Sequence, residues 1–186
     1  MPIPLGILAV AGAGAGGGGS FDLLETTVLS SAASSVTFSS LGSYSDYKHL
    51  RVRYVTRSSR VDTDSSIRLR LNSDTGSNYA WHRVSGNGST VASPSSVSDS
   101  YALLGFMAAN SATANAFAAG SLDLLDFSNS SKNTTIRNLV GNNAGINHIA
   151  LYSGLWVNAA AVTSIEIYDG HSTFTAGSRF SLYGVK

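Results

Sequence analysis

Five arginines in a short stretch are the side chains of this sequence best placed to do chemistry. Arg51, Arg53 and Arg57, then Arg68 and Arg70, fall in the runs KHLRVRYVTR and SIRLRLNSDTGSNYAWHR. Eight of the twelve Lys and Arg lie between Lys48 and Arg83, against three Asp there. A row of guanidinium groups suits acidic glycan, lipopolysaccharide phosphate or the carboxylates of a neighbouring subunit, because each offers a planar fork of donors to paired oxygens. The alternative is a solvated sheet face on which the Arg stems cover apolar surface. Nucleic acid is not an expected partner, since the formal net charge is +1 and the rest of the chain supplies no basic field.

Other constellations are weaker. Asp123 with Asp126, and Glu166 with Asp169, are carboxylate pairs of the kind glycosidases set across a glycosidic bond. Eleven acidic residues produce such pairs by chance, however, and there is no Gly-x-Ser-x-Gly elbow for an activated serine. The expectation is a protein that is not an enzyme. Asp62-Thr63-Asp64-Ser65-Ser66 has oxygen ligands in a row but lacks the Gly and the closing Glu of a calcium loop, so a hairpin turn is the better reading. The four histidines are isolated and there are no cysteines, so neither a metal site nor a disulfide is expected. Gly12–Gly19 carries no Lys and precedes no helix, so no nucleotide cofactor is expected either. Tyr44, Tyr47, Tyr79, Trp81, Tyr152, Trp156, Tyr168 and Tyr183 outnumber what one core holds. Such rings suit sugar stacking or subunit interfaces, and no single one is assigned a sugar site.

The elements that must position these residues read as strands. Leu50, Val52 and Tyr54 alternate with Arg51 and Arg53, and Ile67, Leu69 and Leu71 alternate with Arg68 and Arg70. Period-two alternation buries one set and exposes the other. The turn-rich segment Ser58–Ser65 between them predicts an antiparallel hairpin, with all five arginines on one face. Further strands are expected over Phe21–Leu29, Ser35–Phe38, Tyr79–Val84, Ala102–Ala108, Ala116–Phe127, Thr134–Leu139, Ile146–Leu155, Val162–Tyr168 and Arg179–Val185. Residues 85–100, with Pro94 inside, read as the longest loop. Ten or eleven strands without a convincing helix predict an all-β fold, an antiparallel β-sandwich or jelly-roll-like domain over residues 21–186.

Residues 1–20, MPIPLGILAVAGAGAGGGGS, are a different material. The apolar run Ile3–Val10 is far shorter than the ~20 residues of a membrane-spanning helix, so no membrane insertion is expected. A signal peptide needs a basic n-region, and the first basic residue is Lys48. The segment reads as a docking arm: Ile3, Leu5, Ile7, Leu8 and Val10 form an apolar plug on a glycine-rich tether. The alternative is a disordered tail. Charged residues are only 12 %, as in proteins whose surfaces are covered in an assembly. A homo-oligomer is therefore expected, with a trimer the best single count.

Several segments, in order, carry a family resemblance. They are MPIPLGILAVAGAG at the start, Tyr47-Lys48-His49-Leu50-Arg51-Val52-Arg53-Tyr54, Leu71-Asn72-Ser73-Asp74-Thr75-Gly76-Ser77-Asn78-Tyr79, Lys132-Asn133-Thr134-Thr135-Ile136-Arg137, and the ending Gly177-Ser178-Arg179-Phe180-Ser181-Leu182-Tyr183-Gly184-Val185-Lys186. Together they resemble a family of short virion proteins of tailed bacteriophages, the fibre or appendage proteins common in phages of cyanobacteria and marine bacteria. The resemblance implies a structural protein on the exterior of the virion, an oligomeric β-rich module attached to tail or capsid and bound to other virion proteins. It supplies no catalytic residues. The leading expectation is thus a tail fibre or appendage module that contacts the host surface, with host glycan as a candidate ligand. A capsid head decoration protein is the alternative, and a glycan depolymerase is a third.

Overall fold

A computed structural model describes residues 20–144 and 147–186. The alternating segments become strands. The first group is β1 (Phe21–Val28), β2 (Ser35–Phe38), β3 (His49–Thr56), β4 (Asp64–Leu71) and β5 (Tyr79–Gly86). Next come β6 (Val91–Ala92), β7 (Ser95–Asp99), β8 (Ala102–Ala108) and β9 (Ala118–Leu125). The last are β10 (Thr134–Asn142), β11 (His148–Trp156), β12 (Ile165–Asp169) and β13 (Arg179–Val185). Among the described residues the one helical element is a 3-10 turn over Leu41–Tyr44, and no helix is long and apolar enough to cross a membrane. The plug residues Ile3, Leu5, Ile7, Leu8 and Val10 lie outside the described residues.

The strands form two antiparallel sheets packed face to face, a β-sandwich. The larger has the order β1-β13-β3-β9-β10-β11-β5-β6, with β7 also pairing β5; the smaller has the order β2-β12-β4-β8. The inner strands bury their apolar positions in one shared core, while β6 and β7 stay at the exposed edge. Leu50, Val52 and Tyr54 enter from β3, Leu122 and Leu124 from β9, Ile136 and Val140 from β10, and Tyr152 and Trp156 from β11. Ile67, Leu69 and Leu71 of β4 and Ile165 and Ile167 of β12 close it from the other side. Strand β8 is buried on consecutive residues because a register shift opposite Ile67 and Arg68 interrupts its alternation. Its Gly105 has φ +148° and lies where a Cβ would come within 2.5 Å of Val140 Cγ1, so only glycine fits there.

The expected hairpin does not form. β3 pairs with β13 and β9, whereas β4 pairs with β12 and β8 in the other sheet. The intervening residues carry the chain across the sandwich, anchored by Ser58 N–H to Ala108 O and Ser59 N–H to Thr173 O, both at 2.9 Å. Both alternations are satisfied because both inner faces meet the same core, and for that reason the two sets of outward arginines point to opposite sides of the molecule. The turn chemistry marked a reversal without specifying whether it stays within a sheet. Residues 85–100 are not one long loop: β6 and β7 pair along β5 at Ser85–Ala92 and His82–Ser95. β6 is only Val91-Ala92 and β7 is mostly serine, so neither shows the alternation that marks a half-buried strand.

Candidate interaction faces

On the outer face of the large sheet, register places Arg51 of β3 opposite Asp123 of β9, and Asp123 opposite Arg137 of β10. Arg51 Nε donates to Asp123 Oδ1, and Arg137 Nη2 donates to Oδ2 at 2.9 Å. Burial raises the Asp123 pKa, but the hydrogen bonds and charges of Arg51 and Arg137 outweigh it and hold the carboxyl below its ordinary value. Arg51 also lies 4.8 Å from the Phe21 ring centroid, and Arg53 lies 5.4 Å from that of Tyr183. On the opposite outer face Arg68 stacks 4.1 Å over Tyr101 and Arg70 4.6 Å over Tyr168. These arginines therefore cover aromatic rings on two separate faces, and the single basic face expected from the sequence is absent.

Arg57 belongs to neither face. It is only 8 % exposed, and its guanidinium donates to the backbone carbonyls of Ala109, Ala112, Thr113 and Ala116. It thereby satisfies acceptors of the irregular segment between β8 and β9, which have no strand partner. The sequence contains no cue for this, since Arg57 continues the alternation of its neighbours.

The paired carboxylates are also spoken for. Asp126 pairs with Lys132, whose hydrogen bond lowers the Asp126 pKa, and His49 lies 3.4 Å away. Glu166 is 4.0 Å from Arg70 on the outer side of β12. Asp169, three residues on and therefore on the inner side, accepts from the hydroxyls of Ser58 and Ser65 and from His171 N–H. Neither pair presents two carboxyls to one groove. Among the described residues no three His, Asp or Glu side chains gather as a metal site. Of the surplus aromatics, Tyr79, Tyr152 and Trp156 are core, and Trp156 Nε1 donates to Asp74 at 2.7 Å.

A different surface stands out in the large sheet. Leu139 of β10, Leu151 of β11 and Val84 of β5 are register neighbours in one outward row. Val55 and Ile149 lie in the adjoining row, joined through Ala119 and Gly141. Leu139 is 53 % exposed, Ile149 64 % and Leu151 45 %, so the centre of the sheet presents aliphatic side chains to solvent. A groove of about 500 Å³ runs beside them, bounded by Arg53, Arg179 and Tyr183. The sequence carried a trace of this surface in β11, where Ile149, Ala150, Leu151 and Tyr152 interrupt polar alternation with apolar residues on both faces.

No protein-family model matches the chain, and no curated protein matches it. Among solved structures it is similar to the exo-inulinase from Aspergillus awamori at 10 % identity and a TM-score of 0.39. That match covers 89 % of this chain but only 29 % of the enzyme, so the chain spans under a third of the enzyme's length.

Proposed function

We propose that the chain is a non-enzymatic structural protein of a tailed bacteriophage virion, a fibre or appendage module that assembles with copies of itself. The observation that carries the reading is the aliphatic row Leu139, Leu151 and Val84, with Val55 and Ile149 beside it, on the outer face of the large sheet. Contiguous apolar surface of this kind is a liability unless covered, and a second copy of the chain can cover its aliphatic centre while Arg53 and Arg179 stay at the edge. The N-terminal segment, with Ile3, Leu5, Ile7, Leu8 and Val10, supplies a separate apolar attachment to other virion proteins. A trimer is the proposed subunit count, and the virion exterior the proposed location.

Two measurements test this. Sedimentation of the full chain should give an oligomer that Leu139→Asp with Ile149→Asp converts to monomer while leaving the fold intact. Mass spectrometry of purified particles should find the chain as a stoichiometric component. A monomer at micromolar concentration, together with absence from particles, overturns the proposal.

A further inference from the structure

The outer face of the smaller sheet, turned away from the aliphatic row, carries two guanidinium groups held in place by neutral partners. Arg68 and Arg70 alternate with the buried Ile67, Leu69 and Leu71 of β4, so both point outward, roughly 6.5–7 Å apart along the strand. Arg68 stacks 4.1 Å over the Tyr101 ring, and its Nε donates to Ser66 Oγ at 3.1 Å. Gly170 makes room for the head group, since a Cβ there would come within 2.7 Å of Arg68 Cζ. Among the described residues no carboxylate lies within ion-pair distance of Arg68, whereas Arg51, Arg60 and Arg137 all meet carboxylates of the chain itself. Arg70 is held in the same manner, 4.6 Å over Tyr168 with Nε donating to Ser100 O at 3.3 Å. In register, Tyr168 stands opposite Arg68, and Glu166 stands opposite Arg70 with 4.0 Å between their charged groups. The exposed Thr37 of β2 lies on the far side of Glu166.

We propose that this face binds the anionic group of an acidic saccharide, with Arg68 as its anchor. A guanidinium fork takes two oxygens of a carboxylate or phosphate at once. Stacking on Tyr101 and the bond to Ser66 already fix the plane of Arg68, so little side-chain freedom is lost when an anion docks on its outer edge. Charge complementarity therefore names the head group: a uronate or sialate carboxylate, or a sugar phosphate. Glu166 narrows the choice further. It repels closely spaced anions, which disfavours a dense polyanion such as nucleic acid, yet it accepts hydrogen bonds from hydroxyls. Arg70 donates to hydroxyls, and the Thr37 hydroxyl both donates and accepts. One anionic unit flanked by hydroxyls matches this set. The site lies on the side opposite the aliphatic row, so it stays open when a second copy covers that row. The inference rests on the proposed function only for the source of the saccharide, the host surface that an appendage contacts.

The test is an array of immobilised oligosaccharides ending in glucuronate, galacturonate, sialate or a hexose phosphate, with their neutral hexose counterparts alongside, probed with the full chain. Binding to at least one acidic glycan over its neutral counterpart is expected, weakening as sodium chloride is raised. Arg68→Ala should lose tenfold or more. Arg68→Lys keeps the charge but not the fork, so it should lose most of the same binding while the melting temperature is held. Arg70→Ala should weaken binding severalfold, whereas Arg53→Ala, on the opposite outer face, should leave it unchanged. No binding to any acidic glycan, equal binding to the neutral counterparts, or binding undiminished in Arg68→Ala each overturns the proposal. Loss of the oligomer in Arg68→Ala also overturns it, because the fork would then belong to a carboxylate of a neighbouring copy. Sedimentation on the same samples separates this failure from that of the proposed function, since an oligomer found in particles that binds no acidic glycan refutes the saccharide site alone.

Discussion

Asp123 sits under two guanidinium groups, and this sets how the fold responds to acid. Its pKa is depressed in the folded chain, so the unfolded chain takes up the proton first as pH falls. The stabilisation is fully present above the ordinary carboxyl value of about 4 and is lost as pH drops through the lower folded value. Asp123→Asn should remove about 1–2 kcal/mol at pH 7, the scale of hydrogen bonds to a charged group, tempered by the exposure of Arg137. It should also flatten the loss of stability below pH 4, which urea melts from pH 7 to pH 3 would register. An unchanged slope means that the triad does not contribute. Arg57 poses the complementary case. Arg57→Lys leaves a charge but not the planar fork, so carbonyls of Ala109, Ala112, Thr113 and Ala116 lose donors. A loss of about 1–3 kcal/mol is expected, since the hydrogen bonds of a charged donor are lost while Ala109 O and Thr113 O keep backbone donors from Ala112 and Ala116. Arg53→Ala, whose group is exposed, should change stability by less than about 0.5 kcal/mol in the same thermal melts.

At the scale of elements, several strands were legible to the residue. Ser35–Phe38, Ala102–Ala108 and Arg179–Val185 are strands with the expected bounds. Alternation, however, encodes only which face of a strand is buried, and β3 and β4 show that it is silent about which sheet the strand joins. Pairing is decided by partners far along the chain, such as β13 for β3 and β12 for β4, which a local reading cannot see. The apolar face was hidden for a related reason, because Leu139, Leu151 and Val84 become one row only once β10, β11 and β5 are in register. The β9–β3 pairing has one close approach that makes a sharp expectation. Gly120 faces Tyr54, and a Cβ there would lie 2.2 Å from Tyr54 Cζ. That ring cannot swing aside freely, because its hydroxyl exchanges hydrogen bonds with buried Asn138. Gly120→Ala should therefore destabilise by about 1–3 kcal/mol, the usual effect of overpacking a filled core. A neutral or stabilising result in denaturant melts would show the two strands to be less tightly apposed.

At the scale of the whole molecule, two apolar features point outward for separate reasons, and they can be separated by experiment. The sheet face is part of the folded domain, so charging it should act on self-association. The segment carrying Ile3, Leu5, Ile7, Leu8 and Val10 precedes β1, the outermost strand of the large sheet, and all of the described core is built from residues after it. Removing residues 1–20 should leave the melting temperature of the domain nearly unchanged, because every side chain of the described core comes from later residues. Incorporation into particles should nonetheless collapse. Full burial of five aliphatic side chains contributes roughly 1.5–3 kcal/mol each, offset in part by ordering a glycine-rich tether. Leu8→Asp should mimic the truncation, since a carboxylate buried without a partner is strongly unfavourable. Leu139→Asp with Ile149→Asp should instead lower copy number through loss of the oligomer while leaving the attachment of single chains detectable. If truncated chains are retained on particles at normal copy number, attachment runs through the domain, and the exposed sheet face becomes the surface that must supply it.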